Sequence, residues 1–304
     1  MTNPAVDGRR LDLEVLRILA CLGIVYFHSG LLSGGANSLA YSGLAFFIFL
    51  SVYFVNKATT VPEAFRKIAA KVLPAFIFWS IVYIALSVAI AGKALESYLG
   101  FQTLLTGGSI HLWYLPFIII GVTASIYVVR TVRPELVFWV VAACYFGWLA
   151  SSLYWRDLIR DYPLPAPQYL HALGAVFLAL FVRAGSGVLR YSALLLSLLV
   201  CGYIASQGEL GIGVVYFIIT LMSVLVAWGR DLYPGILPFR KLLLSFSTVT
   251  FGIYLVHPLF ISIAVRLGVS DWYTMPLLAF LGSAVFVRFF LWAMPQYMHR
   301  LVRV

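Results

Sequence analysis

Charge is scarce in this 304-residue sequence. Asp, Glu, Lys and Arg make up 11% of it, where a soluble domain carries roughly 25%. Hydrophobic residues make up 62%, and the mean hydropathy is +0.98. These figures exclude a water-soluble globular enzyme and a disordered chain. Cysteine is scarce too. Cys21, Cys144 and Cys201 lie in separate apolar segments, a spacing that fits neither a CxxC metal site nor a disulfide framework. Lipid-buried thiols are the plain reading. No P-loop lysine motif occurs, and no GxGxxG precedes a helix, which argues against a nucleotide hydrolase or a Rossmann site. Internal repeats, low-complexity stretches and a gap long enough for an extramembrane domain are also lacking.

What is there is a series of apolar runs. A helix needs roughly 20 residues to cross hydrocarbon. Ten runs qualify: 11–32, 39–56, 72–92, 112–130, 134–153, 169–184, 188–206, 210–228, 243–267 and 275–298. The sixth and seventh are short, and His257-Pro258 interrupts the ninth, although proline is tolerated in membrane helices. The first run is too long for a signal-peptide core and contains Arg17 and His28, so it reads as a retained helix. The expected fold is an all-α, polytopic transmembrane bundle of about ten spans, forming one domain over 1–304.

The formal charge of +10 would suggest nucleic acid in a soluble protein; here no nucleic-acid partner is expected, because the cations sit in the short gaps between runs. With the N-terminus inside, fifteen of the 21 Lys and Arg fall in inner loops and tails, and Lys93, Arg156, Arg160 and Arg266 fall outside. This bias predicts both termini in the cytoplasm and an even number of spans.

Ionisable residues inside apolar helices are costly and are functional candidates by default. Arg17 and His28 are eleven residues apart, which on a helix is three turns plus about 20°, so they share a face about 16 Å apart along the axis. Glu14, three before Arg17, can pair with it. The plainer alternative is that Arg17 snorkels to the inner surface and His28 makes one interhelical hydrogen bond. Both on one face, with Glu14 behind them, favours function. His257 and His111 are expected in the outer half as well, so three of the five histidines fall at similar depth. Neutral imidazole is a natural general base near neutral pH. Trp113 and Tyr114, beside His111, also fit an interfacial aromatic belt. Three histidines could hold a metal, but no HxxxH pairing or nearby carboxylate supports one, and no metal is expected.

On the inner side Arg66, Lys67 and Lys71 precede Pro74. Positive-inside topology alone accounts for them. With Arg17 and Arg288 slightly deeper, the set could also hold a phosphorylated cytosolic ligand through charge-assisted hydrogen bonds.

In these elements the chain resembles the acyltransferase 3 family of integral membrane acyltransferases, nearly end to end. The family's first-helix signature matches Glu14, Arg17 and His28. Its aromatic run ending in Ser-Gly matches AFFIFLSVYF with Ser51, where Val52 replaces the usual glycine. Its basic pair before a proline matches Lys67, Lys71 and Pro74, with lysines for arginines. Its Trp-Tyr-Leu stretch matches Trp113 and Tyr114 after His111, and its Ser-Tyr-Gly-Ile-Tyr-Leu-x-His element matches Thr250 to His257. The resemblance implies ten spans, acyl-CoA as cytoplasmic donor with acetyl-CoA foremost, and O-acylation of a glycan or lipid-linked sugar on the far face. It also implies a multi-pass protein of the bacterial cytoplasmic membrane, with cell-envelope polysaccharide among the acceptors.

On that basis His28 is expected to take the proton of an acceptor hydroxyl as it attacks the thioester, with Arg17, held by Glu14, positioning the donor. Arg66, Lys67, Lys71 and Arg288 are the further donor-binding candidates. Ser51, His111, Trp113, Tyr114, Tyr254 and His257 are substrate-binding or accessory candidates; of these Ser51, Tyr254 and His257 could donate to an oxyanion. An acyl-histidine intermediate is an alternative chemistry. The orienting partner of His28 must come from another helix. The outer segment SLYWRDLIRDYPLPAPQ could help bind a sugar or be a plain interfacial loop. The rival function is a glycan or lipid-linked-sugar flippase, which would more often show inverted repeats or paired broken helices.

Overall fold

A computed structural model of the chain describes residues 9–56, 59–159, 161–229 and 240–303. Lys57, Arg160 and Arg230 of the charge bias lie outside these residues. All regular structure among the described residues is helical, as a chain in lipid requires if every backbone polar group is to be satisfied internally. The helices are α1 (Leu11–Ser29), α2 (Gly34–Tyr53), α3 (Val61–Ala91), α4 (Phe101–Thr106), α5 (Tyr114–Thr131), α6 (Pro134–Ile159), α7 (Ala166–Ala184), α8 (Gly187–Ser206), α9 (Leu210–Trp228), α10 (Arg240–Ser247), α11 (Thr250–Arg266) and α12 (Thr274–Ala293).

Eight helical segments among the described residues are long and apolar enough to cross a membrane, and the α10–α11 pair makes a ninth if it is one span. The remaining predicted run, the first, is α1. Asp12, Glu14 and Arg17 within its 19 residues set it apart from the others. The two short runs become the full helices α7 and α8.

Three boundaries differ from expectation. The ninth run breaks between Ser247 and Thr250, with a bend of 66°, whereas α11 continues through Pro258. The short α10 pairs Arg240 and Lys241 with Leu242, Leu243, Leu244 and Phe246; such an amphipathic helix suits an interfacial position. α3 begins at Val61, well before its apolar run, because Thr60 and Glu63 start it: the Thr60 hydroxyl accepts the Glu63 N–H. The last helix stops at Ala293, and residues 296–301 form a 3-10 turn that returns to α3, where the Trp79 indole donates to the Leu301 carbonyl at 2.8 Å.

α2 is the most buried of these spans and packs on α1, α5, α7 and α9, whereas α3 and α8 lie at the edges. The α1–α2 crossing is a backbone contact. A Cβ on Gly43 would lie 2.2 Å from the Ala20 carbonyl oxygen, and one on Gly23 would lie 2.9 Å from that of Ala40. Small residues permit such approach where lipid gives helices no hydrophobic reason to associate. The close approach of α2 thus falls at Gly43, and Val52 is simply buried core.

Helix ends meet in two groups. At one end arginines donate to terminal carbonyls that a helix cannot satisfy itself. Arg10 reaches Leu225 O (2.9 Å) and Val226 O (3.1 Å) of α9, and Arg183 reaches Tyr53 O of α2, while Arg130 reaches the Thr59 carbonyl in the segment before α3 (2.9 Å). At the other end lie the close of α1 and of α6 and the starts of α5, α7 and α9, where the site forms.

Candidate active site

The three histidines singled out in the sequence meet in space. His28 closes α1, His111 sits in the 3-10 turn 110–113 before α5, and His257 is at the middle of α11. Their ring centroids are 5.0 Å (His28–His257), 5.5 Å (His111–His257) and 6.1 Å (His28–His111) apart.

A proline sets up this cluster. Pro258 has no N–H, so the Tyr254 carbonyl four residues back loses its helical donor. The His257 Nδ1 lies 2.7 Å from that oxygen and 3.2 Å from the Ile253 carbonyl. Both neighbours only accept, so Nδ1 carries the proton and Nε2 presents a lone pair. That Nε2 is buried and has no hydrogen-bond partner among the described residues. The adjacent Leu255 carbonyl takes the Tyr83 hydroxyl at 2.7 Å and the His111 Nε2–H at 3.3 Å. The His111 Nδ1 then accepts the Ser109 hydroxyl at 2.9 Å. Both nitrogens of His111 are therefore used. Among the described residues His28 has no hydrogen-bond partner, and the rings of Phe27, His111 and His257 lie beside it.

His28 and His111 line a cavity of about 510 Å3. Its other walls are aromatic (Phe27, Tyr41, Trp113, Trp155) and polar (Arg156, Asp157, Gln168, His171, Glu209). An Arg156–Glu209 ion pair ties the end of α6 to the start of α9. The Gln168 amide oxygen is buried with no partner among the described residues.

From the other direction, Arg17 leads toward the same place. Its Nη1 is 3.2 Å from one Glu14 oxygen, while Arg9 holds the other at 2.6 Å. The buried carboxylate is thus shared by two guanidinium groups, which offsets the cost of its desolvation. Tyr114, opening α5, lies beside Ser51 of α2 and within electrostatic reach of Arg17. Its ring is 5.4 Å from that of Tyr254, which is 5.8 Å from that of His111. The rings of Tyr114 and Tyr254, from α5 and α11, thus lead to His111.

Residues 10–294 match the profile of the acyltransferase 3 family, described as an acyltransferase domain. The chain belongs to this family. Comparisons with curated proteins and with solved structures gave no match. Family and helices together make it an integral, multi-pass membrane acyltransferase.

The remaining predicted residues of this acyltransferase lie outside the cluster. Arg66, Lys67 and Lys71 are exposed on the first part of α3, where Lys67 pairs with Glu63 at 2.6 Å. Arg288 sits on α12 and donates to the Ser245 hydroxyl of α10 at 2.6 Å. Trp113 is buried against Phe117 and Tyr169 and lines the cavity. The three hydroxyl or imidazole groups expected as oxyanion donors each give their proton to a backbone carbonyl: Ser51 to Phe47, Tyr254 to His111, His257 to Tyr254. Among the described residues no group of His, Cys, Asp and Glu could hold a metal ion. The three cysteines are free, with Cys21 and Cys201 buried and Cys144 exposed.

Sequence reasoning missed Tyr41, His171 and Glu209, whereas Gln168 closes the outer segment SLYWRDLIRDYPLPAPQ already singled out. His171 falls near the start of the sixth apolar run, so the depth counting that places His111 applies to it too. The outer segment holding Trp155 and Arg156 does reach the cavity, but its first part is the last turns of α6 rather than a loop.

Proposed function

We propose that the protein moves an acyl group, foremost acetyl, from cytoplasmic acyl-CoA to a hydroxyl of a glycan or lipid-linked sugar. The observation that carries this reading is the position of His28 in the wall of the 510 Å3 cavity, among aromatic and polar side chains. Aromatic faces suit the C–H face of a sugar ring, and the Gln168 oxygen and the carboxylates suit its hydroxyls. His28 takes the proton of the attacking hydroxyl. The hydroxyl oxygen bonds to the thioester carbonyl carbon, the C–S bond breaks, and the proton leaves with the sulfur as a thiol. Arg17, steadied by Glu14, holds the donor; Arg66, Lys67, Lys71 and Arg288 attract its phosphates from the inner surface. The pantetheine arm spans the ~16 Å of three helical turns between Arg17 and His28. We place the protein in a bacterial cytoplasmic membrane, with both termini and the donor inside and the acceptor opposite.

The test is acyl-CoA consumption by the purified protein, joined to mass spectrometry of cell-envelope glycans with and without it. Acceptor-dependent thiol release and a missing ester on the glycan are expected. Sugar movement without thiol release would replace this reading with a flippase.

A further inference from the structure

We infer that His257 is the positioning residue of His28: its Nε2 accepts the N–H of His28 and so turns the opposite His28 nitrogen, as a lone pair, toward the cavity. The inference rests on the acyl-transfer reading for its consequence in turnover, and on geometry for everything else.

Two neutral histidines can share a hydrogen bond only if one donates and the other accepts. The donor–acceptor sense is fixed here by Pro258. It leaves the Tyr254 carbonyl open, the His257 Nδ1–H fills it at 2.7 Å, and Nε2 is left as an acceptor. That acceptor is buried and unpartnered among the described residues, in a cluster where the other ring, His111, has both nitrogens engaged. A buried acceptor without a donor is costly, and His28, whose ring centroid is 5.0 Å away, can supply one. Two rings that share an N–H···N bond of about 2.9 Å have centroids about 5 Å apart. No hydrogen bond among the described residues holds the His28 ring in another orientation, so it is free to turn its N–H toward Nε2. His257 has 0% exposure and does not line the cavity, whereas His28 does. His28 therefore lies between His257 and the acceptor, and His257 acts through it. Fixing the tautomer through the second ring nitrogen is the usual way a basic histidine is oriented. Here an imidazole does what a carboxylate does elsewhere. When His28 takes the acceptor proton it becomes a cation, its bond to Nε2 strengthens, and no proton passes to His257.

The substitutions His257→Asn and His257→Gln separate this role from packing. The asparagine amide can replace Nδ1 on the Tyr254 carbonyl but leaves nothing at the Nε2 position. The glutamine amide reaches the Nε2 position and restores an acceptor. In detergent-purified full-length protein, His257→Asn should lower kcat about 100-fold, with KM for donor and acceptor within about threefold, as loss of an orientation effect on a general base implies. His257→Gln should recover at least about tenfold of that. Equal losses in both variants, or an effect on KM alone, would overturn the assignment. Nitrogen-15 NMR of labelled histidines, read without any turnover, gives the second arm. His28, assigned by its loss in His28→Gln, should hold one tautomer in the parent and a mixture in His257→Asn. An unchanged His28 signal overturns the inference even if the enzyme is active; a parent with one tautomer but no thiol release sinks the acyl-transfer reading and leaves the His257–His28 bond standing.

Discussion

The proposed transfer asks of His28 one nitrogen lone pair in the cavity wall. Removing the imidazole should cost at least the ~10²–10⁴ typical of a general base, with donor binding nearly unchanged. A folded His28→Ala protein with near-normal turnover would remove this assignment. Arg17 acts on a different quantity. If Arg17 binds the donor as proposed, Arg17→Ala should weaken donor binding, and Arg17→Lys should restore it only partly, since lysine lacks the planar fork that could meet a phosphate while holding Glu14. Isothermal titration with a non-hydrolysable acyl-CoA checks this; unchanged affinity in both variants would make Arg17 structural.

At the scale of elements, α11 shows what a sequence does and does not disclose. Pro258 is visible in the sequence as an interruption, but the bend lies at residues 248–249. A proline in a packed helix can leave its orphaned carbonyl to a side chain instead of bending the chain, and here His257 takes that role. Pro258→Ala would return an N–H to the Tyr254 carbonyl and set it in competition with His257. Turnover should then fall about threefold to tenfold, the range of one hydrogen bond of ~0.5–1.5 kcal/mol, while folded yield holds or rises; undiminished turnover would show that His257 needs no such anchoring. The α1–α2 crossing makes a stability prediction of its own. Gly43→Val puts side-chain atoms where the Ala20 carbonyl oxygen lies 2.2 Å from a Cβ, and overpacking of this kind costs ~1–3 kcal/mol or more. Thermal unfolding in detergent should show the loss, and an unchanged Tm would mean that the helices separate there without cost.

The helices themselves are legible because hydropathy over about 20 residues is a strong local signal, and all ten runs correspond to helices or to the α10–α11 pair. The pairing of Glu14 with Arg17 follows from periodicity, and depth counting puts His28, His111 and His257 at one level; that they meet is added by the structure. Arg9 as the second partner of Glu14, the α10–α11 break and the wall formed by Tyr41 and His171 are not legible. The cavity wall depends on which helix neighbours which, and no short-range pattern in a uniformly apolar chain encodes that; the other two are local, but set by side-chain and backbone geometry that hydropathy does not carry.

For the molecule as a whole, helix ends gather in two groups, and the proposed transfer runs from one to the other. Arginines close the carbonyl ends of α2 and α9 on one side, and the cavity opens among the ends of α1, α6, α7 and α9 on the other. The fifteen-to-four distribution of Lys and Arg predicts that the arginine side faces the cytoplasm. The most direct measurement uses sealed vesicles of one orientation, with labelled acyl-CoA supplied on a single side and a sugar acceptor on the other. Single-cysteine variants fix the orientation: Ser33→Cys, beside the cavity end, should react with an impermeant reagent only from the outer face, and Glu135→Cys, at the start of α6, only from the inner face. Ester should form on the acceptor only when acyl-CoA is on the side bearing Arg66, Lys67 and Lys71, and none should form with His28→Ala. Ester formation by the His28→Ala protein, or only when donor and acceptor share one side, would contradict transfer across the bundle through His28.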